Sequence, residues 1–577
     1  MRSMGDAREV DLLVLGAGAG GMSAALAASI MGLDVLVCEK TSQVGGTAAT
    51  SAGTIWIPEN RQSIEAGFAD SRDHARRYLN ALIGEPDRGA ELREVYLEQG
   101  PRIVEWFANN SEVQWVPCGR HPDYQDLDGA AASGRALSPA EFDGRLLGGA
   151  FAHVRAPIPE FMVFGGMMVG KADVPKLVGR FASADNFMHA LKLFSRFLVD
   201  RLRYPRGTRL VMGNALVARL YVSLRKRHVP VEFNAALVDL VVEDGRVAGA
   251  IVDAAGRRET IRAPKGVVLA TGGYAHNETL RRSFMPEPTP VESMAIPANE
   301  GDGISAAMKV GAIVAGEDHG SGAFWTPVSR TSHGGAGKWG GLFPHLSLDR
   351  AKPGLIAVNS AGLRFVNEAV SYHHFVEAMF ESNRTVPSIP AWLVCEVAFV
   401  RKYGLGVIHP GTTNLKPFLR EGEFVTAGTL EMLAKKMNVD AAGLLATVER
   451  HNRFAQTGVD ADFGKGSTEL NRFNGDDSNT PNPCIGAMGQ GPYCAMAVRP
   501  AEIACSTGLE TDADARVLDA QRRPIPGLYA SGNDLASIMR GTYPGPGTTL
   551  GPALVFGYRA AHHAAAAVHD GHAPGSS

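Results

Sequence analysis

The chain opens with a short apolar run, Val10 to Leu15, broken only by Asp11 and ending in Gly16-Ala17-Gly18-Ala19-Gly20-Gly21. Met22 to Met31 is alanine-rich and helix-favouring, and Val35 to Cys38 is again strand-like. This pattern predicts a βαβ opening. Further on, the β-rich runs Val231 to Val242 and Arg246 to Val252 flank Glu243-Asp244-Gly245, a hairpin signal, and Gly266 to Ala270 reads as one more buried strand of the same sheet system. From about His276 to about Gln490 the texture turns to mixed polar, aromatic and Pro/Gly-rich sequence. Strand-and-glycine texture returns at Gly527 to Ser531. An α/β domain that is interrupted and then resumed accounts for this order.

Composition narrows the classes. The 577 residues include 67 glycines, about 12% against a usual value near 7%. Lys and Arg number 57 against 60 Asp and Glu, a net charge of −3 with no long run of one sign, which excludes an electrostatic nucleic-acid binder. The six cysteines include no Cys-x-x-Cys pair and read as reduced thiols of a cytoplasmic protein. Leu12 to Leu33 is long enough to cross a bilayer, but five glycines and the acids Asp6, Glu9 and Asp11 argue against a span or a signal peptide.

Gly16, Gly18 and Gly21 stand in a G-x-G-x-x-G spacing between a predicted strand and a predicted helix. In that motif the first glycine permits the tight turn, the second lets backbone approach a pyrophosphate, and the third lets helix and strand pack closely. Glu39 follows at the roughly 20-residue distance of a carboxylate that binds an adenosine ribose. A nucleotide site is therefore expected.

Gly45-Gly46-Thr47, Ala270-Thr271-Gly272-Gly273, Gly301-Asp302-Gly303, Arg364-Phe365-Val366-Asn367-Glu368 and Gly527 to Asp534 together resemble the FAD-binding pattern of the fumarate reductase and succinate dehydrogenase flavoprotein superfamily. The resemblance implies FAD held by Gly16, Gly18, Ala19, Gly20, Gly21, Glu39, Lys40, Gly46, Thr47, Ala48, Ser51, Gly53, Ala236, Leu237, Ala270, Thr271, Gly272, Gly532, Asn533, Asp534, Gly547, Thr549 and Leu550. No histidine falls near Gly45 to Gly53, so the FAD is expected to be non-covalent. The fold implied is α/β, a Rossmann-like FAD-binding domain of the glutathione-reductase type (residues 1–280 and 491–577) with an inserted α+β substrate and catalytic domain (281–490). Gly551-Pro552 before Ala553 to Val568 predicts a helix with proline at its first position, either aimed at the flavin or simply docked.

Ser51 to Pro58, Arg206-Gly207 with Met212 to Leu216, and Thr542-Tyr543-Pro544-Gly545-Pro546-Gly547-Thr548-Thr549 are similar to the 3-ketosteroid Δ1-dehydrogenases, over nearly the whole chain. The resemblance implies loss of a hydride from carbon 1 of a 3-keto-4-ene steroid to the flavin and of a proton from carbon 2 to a tyrosinate. Tyr543 and the Gly547 amide match the groups that bind the ketone, Tyr372 the proton-abstracting tyrosine, and Tyr124 the tyrosine that assists it. Electrons would pass on to a quinone-type acceptor. Pro544 departs from the family, which has a small alanine there, and implies a shifted turn. Ser329 to Leu346, with Gly334, Gly335, Gly337, Trp339, Gly340 and Gly341, is longer than the family pattern and reads as a lid. His373-His374 lacks the companions of a metal site, and no metal is assigned.

Rival readings are a 3-ketosteroid Δ4-(5α)-dehydrogenase, another fumarate-reductase-like flavoprotein, or a non-catalytic flavin-binding electron carrier. Lys192 to Arg227 carries Arg196, Arg201, Arg203, Arg206, Arg209, Arg219, Arg225 and Lys226, with Phe187, Leu191, Phe194 and Leu198 at helical spacing. Core packing under a solvated basic face is the first reading, and peripheral attachment to the inner face of a membrane the second.

Overall fold

The computed structural model describes residues 8–84, 89–170, 173–315, 322–331, 341–346 and 349–567. The strands that position the site are, in chain order, β1 (Leu12–Leu15), β2 (Val35–Glu39), β3 (Val231–Phe233), β4 (Gly266–Leu269), β5 (Ala323–Arg330), β6 (Ala391–Glu396), β7 (Tyr493–Cys505), β8 (Arg516–Leu518) and β9 (Pro524–Ala530). The helices are α1 (Ala19–Ile30), α2 (Ala184–Asp200), α3 (Met212–Lys226), α4 (Tyr372–Asn383) and α5 (Leu550–Ala566).

A six-stranded sheet runs in the order β3-β2-β1-β4-β9-β8, parallel throughout except for β8. Every residue of β1, β2 and β4 is buried, which explains their unbroken apolar sequence. Ligands of such sheets bind beyond the carboxyl ends of the strands. The ends of β1, β2, β4 and β9 carry Gly16, Glu39, Ala270 and Ser531, so the motifs converge on one edge. A second sheet of seven strands is organised by the long β7, which pairs antiparallel with β5 and β6. The chain re-enters the first sheet at β8.

The run Val231 to Val242 is two strands and not one. Asn234 adopts φ +56° and ends β3, and Ala235–Glu243 then forms a hairpin with Arg246–Ala254 in a separate four-stranded sheet. Its turn residues Asp244 and Gly245 both have positive φ, as a two-residue hairpin turn requires. Likewise α5 starts at Leu550, because Gly551 and Ala553 donate to the carbonyls of Gly547 and Thr549. Pro552 is its third residue, still in the first turn, where a missing N–H costs little. α5 packs on α1 through Gly557, where a Cβ would lie 2.2 Å from Ser23 Oγ and 2.7 Å from Gly20 O. Among the described residues no helix is long and apolar enough to cross a membrane.

Candidate active site

The three motif glycines separate into the three expected functions. A Cβ on Gly16 (φ +107°) would lie 2.1 Å from Ala270 O, and one on Gly21 only 1.9 Å from Gly16 O, so both positions are closed by backbone. A Cβ on Gly18 would meet nothing within 4 Å, and the same holds for Gly532. These are the faces open to a pyrophosphate. Gly18 begins α1 without a side-chain cap, leaving the first N–H groups of that helix to an anion; Thr549 likewise gives α5 no side-chain cap. Gly20 abuts Ser531 and Gly532, and Ser531 Oγ donates to Ala553 O at 2.9 Å, so both helix ends meet at one cleft.

Glu39 accepts from the N–H of Ala17 and of Thr41, each at 2.9 Å, which orients a carboxylate that still has lone pairs for a ribose. Asn234 N–H donates to Thr41 O, which ties the start of the strand carrying Ala236 and Leu237 to the segment after Glu39. The other expected cofactor residues mostly brace the cradle. Asp534 accepts from the N–H of Thr271 and of Gly273, and burial pushes its carboxyl upward. Lys40 is paired with Asp302 at 2.9 Å and with Glu300. Thr47 Oγ1 accepts from Ile296 N–H and Asn299, against which Gly272 also packs. The turn Gly46–Thr50 is held by α3: Asn214 donates to Ala49 O at 2.7 Å, and a Cβ on Gly213 would lie 2.0 Å from Ala48 O. Ser51 Oγ closes this turn on Ala48 O and receives the Gly53 N–H. The donor set and the two open glycine faces fit FAD.

Beyond that cradle the three tyrosines come together from three remote segments. Tyr124 OH donates to Tyr372 OH at 3.2 Å, and Tyr372 OH donates to Tyr543 OH at 2.9 Å. The Tyr124 and Tyr543 rings stack at 5.4 Å and 12°, with Tyr372 edge-on to both. All three are buried, and burial pushes each phenol well above its ordinary value near 10. The chain of hydroxyls leaves Tyr543 with its own proton to donate. Gly547, at φ +96° and wedged against Ile55 Cα, exposes an N–H that donates to no acceptor among the described residues. A phenol donor, an unpaired amide and a second phenol within reach can polarise a carbonyl and take a proton from its neighbouring carbon.

Pro544 is tied into the site through its carbonyl. Its carbonyl accepts from Tyr124 N–H at 2.9 Å and from Tyr78 OH at 2.7 Å, and neither bond needs the N–H that proline lacks. Sequence reasoning missed this brace and its foundation: Asp123 accepts from Trp56 Nε1 (2.8 Å) and pairs with buried Arg135 (2.6 Å), which also pairs with Asp70. Burial raises the Asp123 carboxyl to about 6 against the pull of Arg135. His373 was considered only as a metal ligand. Its Nδ1 accepts from Trp325 N–H and its Nε2 donates to Gly541 O at 3.0 Å, tying β5 to the turn that carries Tyr543. Adjacency to Tyr372 is the one signal in sequence that pointed to it. His374 turns instead to Ser371 Oγ. Of the glycine-rich segment, Gly334, Gly335, Gly337, Trp339 and Gly340 lie outside the described residues, while its flanks pair antiparallel as Val328–Arg330 with Leu342–Pro344.

Comparison with known proteins gives a consistent result. A family model described as an FAD binding domain matches residues 11–550. The 3-oxosteroid 1-dehydrogenase of Mycolicibacterium smegmatis is 37% identical over 96% of this chain and 97% of its own. The 4-oxocyclohex-2-ene-1-carboxylate 5-dehydrogenase of Sinomonas cyclohexanicum is 36% identical over 95% of this chain and 92% of its own. The crystal structure of 3-ketosteroid Δ1-dehydrogenase from Sterolibacterium denitrificans in complex with 1,4-androstadiene-3,17-dione superposes with a TM-score of 0.89 at 38% identity, covering 97% of this chain and all of that one.

Proposed function

This chain belongs to the 3-ketosteroid Δ1-dehydrogenase family of FAD-dependent flavoenzymes, and from that premise we propose that it introduces a 1,2-double bond into ring A of a 3-ketosteroid. The observation that carries this reading is the hydroxyl chain Tyr124, Tyr372, Tyr543, with the unpaired Gly547 N–H four residues after Tyr543 in the same turn segment. Tyr543 OH and Gly547 N–H hold the ketone oxygen and stabilise the enolate that develops there, a contribution of about 3 kcal/mol per donor. Tyr372 takes the proton from carbon 2. Burial opposes its anion, and the Tyr124 hydroxyl, 3.2 Å away, is placed to donate to that oxygen. FAD, when bound, supplies the hydride acceptor.

Arg540, the group closest to a fumarate-reductase-type proton donor, is occupied with Glu510 at 3.4 Å, which favours the tyrosine chemistry. The electrons pass to a quinone-type acceptor, and the enzyme works on the inner face of a membrane, where both apolar reactants reside. Anaerobic titration with androst-4-ene-3,17-dione tests the reaction: the flavin bleaches and the product lacks two hydrogens at carbons 1 and 2. Bleaching by a 5α-saturated steroid alone supports the Δ4 rival, and bleaching by 4-oxocyclohexanecarboxylate alone overturns the steroid reading.

A further inference from the structure

The basic residues at the end of α3 have different fates. Lys226 pairs with Glu112, and Arg227 donates to Ser29 O at 2.6 Å. The Arg225 side chain has neither an ion pair nor a hydrogen bond among the described residues, and its guanidinium lies over the Tyr221 ring, 5.9 Å from the ring centre. Both residues line a cavity of about 370 Å³ between α3, β3 and the segment Gly144–His153. That volume is in the range of small-molecule sites. Tyr221 is only 3% exposed, yet its hydroxyl has no hydrogen-bond partner among the described residues and stays open to the cavity. A buried phenol ordinarily finds a partner.

The walls select the ligand. His153 Nδ1 donates to Ser42 O at 3.0 Å, which leaves Nε2 without a partner among the described residues. Its ring lies flat on Phe233, with 4.4 Å between centres and 11° between planes. Val231 and Phe233 are alternate residues of the edge strand β3, so they share one face, and Val229 extends that apolar wall. No acid lines the cavity, so a cation or metal ion finds no counter-charge there, and none of its lining residues belongs to the FAD cradle. An unpaired guanidinium and a free phenol hydroxyl can together hold a carboxylate by charge-assisted hydrogen bonds. The stacked rings and valines offer cover for a flat hydrocarbon body, which inorganic phosphate would leave unfilled.

We propose that this cavity is a second small-molecule site, one that takes a carboxylate borne on one or two flat rings, with Arg225 and Tyr221 holding the carboxylate and Phe233, Val229 and Val231 covering the rings. It does not rest on the steroid chemistry. Calorimetric titration of the FAD-loaded enzyme with 2-naphthoate should show one-to-one binding that the uncharged 2-naphthamide does not reproduce and that inorganic phosphate does not displace. Arg225→Gln and Tyr221→Phe should each weaken binding about tenfold or more, the worth of a hydrogen bond to a charged group. A Cβ on Gly149, which lines the cavity, would meet nothing within 4 Å, so Gly149→Leu should be accommodated and should abolish binding by filling the space. Flavin bleaching by androst-4-ene-3,17-dione should be unchanged in all three variants. Hydrogen exchange of the wild type should slow in residues 221–233 when naphthoate is added, a reading that does not depend on variants folding. Absence of naphthoate binding, equal binding of the amide, undiminished binding by Gly149→Leu, or displacement of naphthoate by the steroid would each overturn the proposal.

Discussion

Tyr124 donates its main-chain N–H to the carbonyl of Pro544 at 2.9 Å, so the residue whose hydroxyl donates to Tyr372 is fastened to the neighbour of Tyr543. Two segments more than 400 residues apart in sequence are thereby joined. The geometry of the hydroxyl chain depends on that union.

Tyr372→Phe should keep the bound-FAD spectrum and slow the reductive half-reaction by about 100- to 10,000-fold, the usual worth of a positioned base. Burial raises the Tyr372 pKa, so the anion is scarce at neutral pH and the wild-type rate should climb with pH through 7 to 9. Stopped-flow bleaching across that range checks both points, and a wild-type rate in the variant removes Tyr372 from the mechanism.

Tyr543→Phe should slow flavin reduction about 100- to 1,000-fold, since it deletes one donor to the developing enolate. A change confined to KM sinks the assignment. Gly547→Ala should be harsher, because a Cβ there would lie 2.5 Å from Ile55 Cα.

Tyr78→Phe removes one of the two bonds to the Pro544 carbonyl. A hydrogen bond of about 1 kcal/mol lost from the brace should lower kcat several-fold. FAD affinity, measured by fluorescence titration, should not change, as Tyr78 lies outside the cradle.

Gly18→Ala and Gly21→Ala should differ in kind. At Gly18 the new methyl enters open space, so the protein folds and its FAD dissociation constant rises. At Gly21 it meets Gly16 O at 1.9 Å, and the yield of folded protein should collapse. Acid precipitation of the wild type should release all the FAD into the supernatant, which tests the non-covalent attachment.

Asp349 lies against His345 (2.6 Å), which in turn reaches Ser329 Oγ at 2.8 Å. Although burial opposes its charge, His345 and Arg350 hold its carboxyl at about 2, below the ordinary 3.8. A depressed carboxyl adds stability above its unfolded pKa and loses it as pH falls through the folded one. Asp349→Asn should cost about 2 kcal/mol at pH 7 and flatten the stability loss between pH 4 and pH 2, readable from urea melts.

Local pattern alone determined the opening unit and a nucleotide site, while FAD and the candidacy of Tyr543 came from family resemblance carried by short glycine-rich motifs. Gly16, Gly18 and Gly21 serve a turn, a ligand and a contact that lie within a few residues, and Tyr543 sits inside a dense glycine and proline motif. The break at Asn234 was illegible, because one residue at φ +56° interrupts a run that is β-forming on both sides. The outward stripe of α2, where Phe187, Leu191, Phe194 and Leu198 are exposed while Leu193 and Phe197 are buried, was illegible for a different reason: a helix with two apolar stripes has the same periodicity whichever one it buries. Tyr124, Tyr78, Asp123, Arg135 and His373 act through partners hundreds of residues away or on other elements, and no spacing encodes such contacts. Only tertiary structure decided which buried tyrosines share hydroxyls, because that depends on where two sheets and a returning C-terminal segment meet.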